Sequence, residues 1–99
     1  MEVAYVMLGK SYLGSNNIVN LGALTESALK WFPSNAELIA LRAVYFYRLG
    51  KYKEAIPYVM RALQVDSKNF TANSIYSQPL IQQMIHYGDS TKTFLTPAP

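Results

Sequence analysis

AELIALRAVYFYRLGKYKEAIPYVMRALQVDSKN, residues 36–69, carries two apolar stripes of helical period separated by one turn. Ile39, Ala43 and Phe46 recur at three- and four-residue steps, as on the buried face of a helix, and Ala55, Tyr58, Ala62 and Val65 do so again. Between them Leu49-Gly50-Lys51 holds the residue type that best tolerates a left-handed backbone turn. Asp66-Ser67-Lys68-Asn69 ends the second stripe and supplies capping oxygens for a following helix. The stretch reads as helix, turn, helix.

Outward from it, the pattern repeats. Tyr5, Leu8-Gly9 and Tyr12, closing with Pro33-Ser34-Asn35, stand 34 residues ahead of Ile39, Arg42-Ala43 and Phe46, closing with Ser67-Lys68-Asn69. Ser15-Asn16-Asn17 takes the turn position, and Leu21, Leu24, Ala28 and Trp31 form the second stripe. A recurrence at this period implies stacked helical hairpins, and so a binding surface rather than a reaction centre. Toward the C-terminus a third helical stretch starts near Thr71 and carries Ile75, Tyr76, Leu80, Met84 and Ile85. Pro79 is expected to kink or split it, and Gly88 to stop it. From Asp89 the composition turns to Ser, Thr, Lys and Pro, where no regular element is expected and Thr93-Phe94-Leu95 is the apolar interruption.

Composition narrows the function classes. With 99 residues the chain is one domain, and with 51% hydrophobic and 15% charged residues it is a packed body rather than a disordered tail. The net charge of +3 comes from basic residues scattered singly, which is weak support for nucleic acid or an anionic membrane. No cysteine and a single histidine, His86, exclude a disulfide framework and the Cys/His zinc constellations. No run approaches the roughly 18 apolar residues of a membrane span, and the N-terminus lacks the positive start of a signal peptide. A cytoplasmic protein is the default expectation, unless a targeting segment lies upstream. The repeat phase starts at Glu2 with no capping residue before it, as expected of a chain cut from a longer array or completed by a partner.

The residues quoted above resemble the tetratricopeptide repeat family, whose 34-residue unit is a helix, a turn and a helix. The resemblance covers about residues 2 to 69, with a weaker third helix to about residue 87. The second copy is the more specific, with Ala43, Phe46, Gly50, Tyr52, Ala55, Ala62-Leu63 and the Asp66 to Asn69 ending in the family's slots. In the first, Tyr5, Leu8-Gly9, Tyr12, Ala28-Leu29 and Pro33-Ser34-Asn35 fit, whereas Leu21 replaces a small residue and Asn16 a frequent Gly. Gly9 against Leu21 is expected to fill the volume that Ala43 and Ala55 fill together. Arg42 stands where the family commonly has Leu, its stem covering apolar surface while the guanidinium reaches water.

The resemblance implies an all-α fold, a short right-handed α-α superhelix of two helical hairpins plus a C-terminal capping helix. The expected division of the single domain is repeat 1 over 2–35, repeat 2 over 36–69, the capping helix over 70–87 and a flexible tail over 88–99. It also implies a concave groove lined by the first helices, holding a peptide or a helix of another protein. By helical spacing the groove residues are Val6, Lys10 and Leu13 on one helix, Ala40, Val44, Tyr47 and Arg48 on the next, and Ser74 and Gln78 on the third. A mostly apolar surface with a Tyr and cations at its edge suits a part-apolar ligand with an acidic end or flank. Some family members clamp a C-terminal carboxylate with Lys, Asn and Arg. The corresponding positions here are Val6, Lys10, Leu41, Thr71 and Ile75, with Lys10 the one basic group, which speaks against that function.

Signals of chemistry are weak. Residues 4–11 satisfy a relaxed phosphate-loop pattern ending in Gly9-Lys10-Ser11, but they are apolar and helical in period, with no strand before them. His86, Asp89 and Ser90 have the residue types of a nucleophilic triad, yet sit within five positions on a helix end. His86 is better read as interacting with the helix C-terminus. Six carboxylates are spread along the chain with no pair placed for acid and base work. Asn69-Phe70-Thr71 is a glycosylation sequon whose Asn is better explained as a helix cap. The reading is a non-enzymatic protein-interaction module without cofactor or metal, binding a protein or peptide partner. A self-assembling scaffold, through end repeats or tail to a homodimer, is the alternative, and RNA binding ranks behind both.

Overall fold

Asn16 and Gly50 both take left-handed backbone, with φ of 60° and 77°, and each reverses the chain between two helices. In the computed structural model, which describes residues 1–89, α1 (Glu2–Gly14) and α2 (Ile18–Trp31) form one hairpin. Helices α3 (Ala36–Arg48) and α4 (Tyr52–Val65) form the next, and α5 (Phe70–Tyr76) and α6 (Pro79–Asp89) follow. The fold is all-α, with no strand among the described residues. The expected tail from Ser90 onward, including Phe94 and Leu95, lies outside them.

Helix starts follow side-chain oxygens. Asn17, Asn35 and Asn69 each accept from the backbone N–H three residues on, at 3.4, 2.9 and 2.7 Å, satisfying a donor that the first turn leaves orphaned. At the third stretch Pro79 splits the helix rather than bending it. Its ring disfavours a helical residue before it, so α5 closes at Ser77 and Pro79 opens α6 in the first helical position, where its missing N–H costs nothing. Of the two outcomes expected at Pro79 the structure takes the split, and the second helix runs through Gly88, the expected stop, to Asp89.

Successive helices pack on one another, and α1 also touches α3 and α3 touches α5. Helices α2 and α4 do not touch among the described residues. Helices α1, α3 and α5 thus form one continuous row, and on the other side of the stack α4 meets α6.

The core runs along this stack in three buried clusters. Leu21, Ala28, Leu38 and Leu41 join α2 to α3; Ile39, Ala40, Ala62 and Ala72 join α3 to α4 and α5; Ala43, Val44, Val59, Ile75 and Ile81 carry it into α6. Small residues in the middle cluster let three helices approach closely. Gly9 is buried in α1, but a Cβ there would meet Leu41 Cδ1 at 2.8 Å and Leu24 Cδ2 at 3.3 Å before Leu21 Cδ1 at 3.7 Å. The expected Gly9 to Leu21 compensation is thus an ordinary contact, and the tight one reaches across to α3. Arg42 also differs from expectation: its Nη1 donates to the Gly22 carbonyl at 2.7 Å and to Thr25 Oγ1 at 3.3 Å. The guanidinium is held between α2 and α3 because the close approach at Gly22 brings a backbone acceptor within its reach.

Candidate partner-binding groove

The α1–α3–α5 row gathers the first-helix residues named from spacing, though unequally. Ala40 is fully buried and Val44 is 5% exposed, so neither offers surface. This corrects their expected place on the groove: α3 is the middle helix of the row, Ala40 packs in a cluster with Ala62 of α4 and Ala72 of α5, and Val44 in one with Val59 of α4 and Ile75 of α5. Val6 and Leu13 are half-buried against the cluster of Leu21, Ala28, Leu38 and Leu41. Tyr47 is half-buried, its ring meeting Tyr52 edge-on with centroids 5.3 Å apart.

Ser74 and Gln78 are half-buried, and their side chains are satisfied locally. Ser74 Oγ donates to the Thr71 carbonyl at 2.7 Å, and Gln78 Nε2 donates to the Ser74 carbonyl at 3.2 Å. Ser74 also lines a hollow of about 440 Å³ with Phe70, Asn73, Tyr76 and Ser77, where the Phe70 ring is 85% exposed.

The two cations of the groove differ in their partners. Lys10 Nζ lies 3.8 Å from Glu37 Oε2, and Glu37 also accepts from Asn69 Nδ2 at 2.9 Å and Thr71 Oγ1 at 2.7 Å. Arg48 is exposed and donates to the neutral Asn16 Oδ1 at 3.0 Å. Among the described residues Arg48 has no carboxylate partner, which leaves its charge for an anionic group. The spread of six carboxylates along the sequence gives no sign of this role for Glu37. Asn35 makes a similar bond, its Nδ2 donating to Glu2 Oε1 at 2.8 Å, but the two carboxylates are out of register by one residue, since a shift of 34 sets Val3 on Glu37.

Other candidates lose their chemistry in place. Residues 4–11 lie inside α1, with no open loop to cradle phosphate. Asn69 is 8% exposed and bonded through both side-chain atoms, so the sequon is closed by its cap. His86 sits exposed in the last turn of α6 with Asp89 in the same helix, and Ser90 lies outside the described residues. No cluster of three or more His, Cys, Asp or Glu able to hold a metal occurs among the described residues. No described helix is long and apolar enough to cross a membrane.

No family model matches the chain. Over 71 residues, 72% of its length, it is 27% identical to the BBSome complex member BBS4 of Bos taurus, and the stretch covers 14% of that protein. The similarity is therefore to a small part of a protein whose name places it in a multi-subunit complex.

Proposed function

We propose that the chain is a tetratricopeptide-like interaction module, non-enzymatic, that holds a peptide or helix of another protein against the α1–α3–α5 row. The observation that carries this is the continuous α1–α3–α5 row, at which an exposed Arg48, with no carboxylate partner among the described residues, stands beside the Tyr47 ring. Val6, Leu13 and Tyr47 offer half-buried apolar surface that desolvates on contact, and Ser74 and Gln78 line the far end. Arg48 selects an acidic flank; Lys10 contributes less, its charge being shared with Glu37. The similarity to a subunit of a multiprotein complex supports the same reading.

The test is affinity capture with the full chain and two charge-reversed forms, compared by quantitative mass spectrometry. Arg48→Glu combined with Tyr47→Ala is expected to lose the partners of the wild type. Lys53→Glu, on the exposed side of α4, makes the same charge change away from the row and is expected to keep them. Equal recovery by both forms overturns the groove as the site.

A further inference from the structure

Glu37 meets both neighbours of α3 in the row. Its side chain is 18% exposed, lies 3.8 Å from the Lys10 ammonium of α1, and accepts from Asn69 Nδ2 at 2.9 Å and Thr71 Oγ1 at 2.7 Å at the start of α5. The two neutral donors hold the carboxylate in place, so its position does not depend on the looser contact with Lys10. Nor does the repeat require the arrangement. A shift of 34 residues sets Val3 and Thr71 on Glu37, and Val44 on Lys10, so the pair occurs in one unit and not in its neighbours.

The consequence is a row with unlike ends. Glu2 bonds Asn35 and Arg48 bonds Asn16, so α1 and α3 run the same way, with Glu2 and Glu37 at their starts and Arg48 at the far end of α3. Of the Lys and Arg residues on α1, α3 and α5, Arg42 is engaged by the Gly22 carbonyl, Lys10 lies against Glu37, and Arg48 bonds a neutral amide oxygen. Resting on the reading of the row as a groove, we propose that Glu37 is its specificity-determining residue. By holding Lys10 it leaves Arg48 as the available cation and gives a bound segment its direction, acidic residues toward Arg48 and neutral or basic ones toward the starts of α1 and α3. A carboxylate brought to Lys10 meets the Glu37 charge behind it, and that repulsion rejects the reversed orientation.

The probe is an acetylated, amidated hexaglutamate peptide, titrated at low salt into the isotope-labelled full chain, with amide shifts read separately around Lys10 and Arg48. In the wild type, saturable shifts are expected around Arg48 and none around Lys10. Arg48→Met is expected to weaken binding about fivefold, and Lys10→Met to leave it within about twofold. Glu37→Gln keeps the shape and an acceptor for Asn69 or Thr71. It is expected to bring shifts at Lys10 and raise affinity about fivefold, the effect in water of removing one charge at 3.8 Å, and adding Lys10→Met is expected to cancel that gain. The proposal is overturned if Lys10→Met weakens the wild type as much as Arg48→Met does, a comparison that needs no Glu37 variant. It is also overturned if folded Glu37→Gln shows no gain, or a gain that survives the loss of Lys10. Absence of shifts at Arg48 in the wild type overturns the groove reading and this proposal with it.

Discussion

Asn69 and Glu37 are locked across the repeat boundary: Asn69 Oδ1 caps α5 by accepting from Ala72 N at 2.7 Å while its Nδ2 donates to Glu37 Oε1 at 2.9 Å. One side chain thus starts a helix and ties it to the start of the preceding first helix. At 8% exposure, water cannot replace what is lost. Asn69→Ala is therefore expected to cost about 2–3 kcal/mol, the cap plus a charge-assisted bond. The equivalent Asn35→Ala, more open to solvent, should cost about 1 kcal/mol. Urea unfolding monitored by circular dichroism measures both, and equal costs would contradict the role of burial.

Glu37 has three partners of unequal worth. The Lys10 ammonium is 60% exposed and 3.8 Å away, so screening leaves it about 0.5 kcal/mol or less, and Lys10→Met should be nearly neutral. Thr71 Oγ1 donates at 2.7 Å in a half-buried setting, and Thr71→Val should cost about 1–2 kcal/mol. Denaturant midpoints of the two single variants decide the order.

Glycines at the interhelical contacts should respond differently to a methyl group. At Gly9 the nearest obstacle is the mobile end of Leu41, so Gly9→Ala should change stability by under about 1 kcal/mol, the helix-propensity gain offsetting the crowding. Gly9→Leu has no such escape and should lower the melting temperature. At Gly22 the obstacle is the Tyr45 ring, with Cδ1 2.8 Å from the added carbon, so Gly22→Ala should cost about 1–3 kcal/mol. Thermal melts of the three variants test the ranking.

How far the fold could be read in advance depended on how local its causes are. Asn16 and Gly50 announced their turns because left-handed backbone is a property of single residues, and Pro79 announced a break for the same reason. Pro57 gave no such effect. Helix α4 continues through it, since Ala55, Val59 and Ala62 bury the opposite face. Ala40 and Val44 share a helical face with Tyr47 and Arg48, so spacing alone put them on the groove. What buries them is the packing of α4 and α5 on α3, through Val59 and Ala62 on the one and Ala72 and Ile75 on the other, and that is a tertiary contact. Gly22 and Arg42 could not be paired from the sequence, because 20 residues and a turn separate two helices whose distance of approach is a tertiary property.

Arg42 joins the two hairpins in a way that charge alone cannot. Its Nη1 reaches the Gly22 carbonyl at 2.7 Å and Thr25 Oγ1 at 3.3 Å, while the guanidinium carbon lies 5.0 Å from the Tyr45 ring centre and 4.8 Å from that of Phe46. A planar group with several donors can bond in its plane and lie against rings with its faces, whereas an ammonium offers a point charge and cannot do both. Arg42→Lys should therefore destabilise the fold by about 1–2 kcal/mol despite keeping the charge. Thr25 Oγ1, which donates to the Leu21 carbonyl at 2.9 Å, keeps that bond in either variant. Arg42→Met preserves the stem and its apolar cover but leaves the part-buried Gly22 carbonyl without its donor, so it should cost at least as much as the lysine. If chemical denaturation ranks Arg42→Lys level with wild type, the positive charge and not the shape of the guanidinium holds α2 to α3.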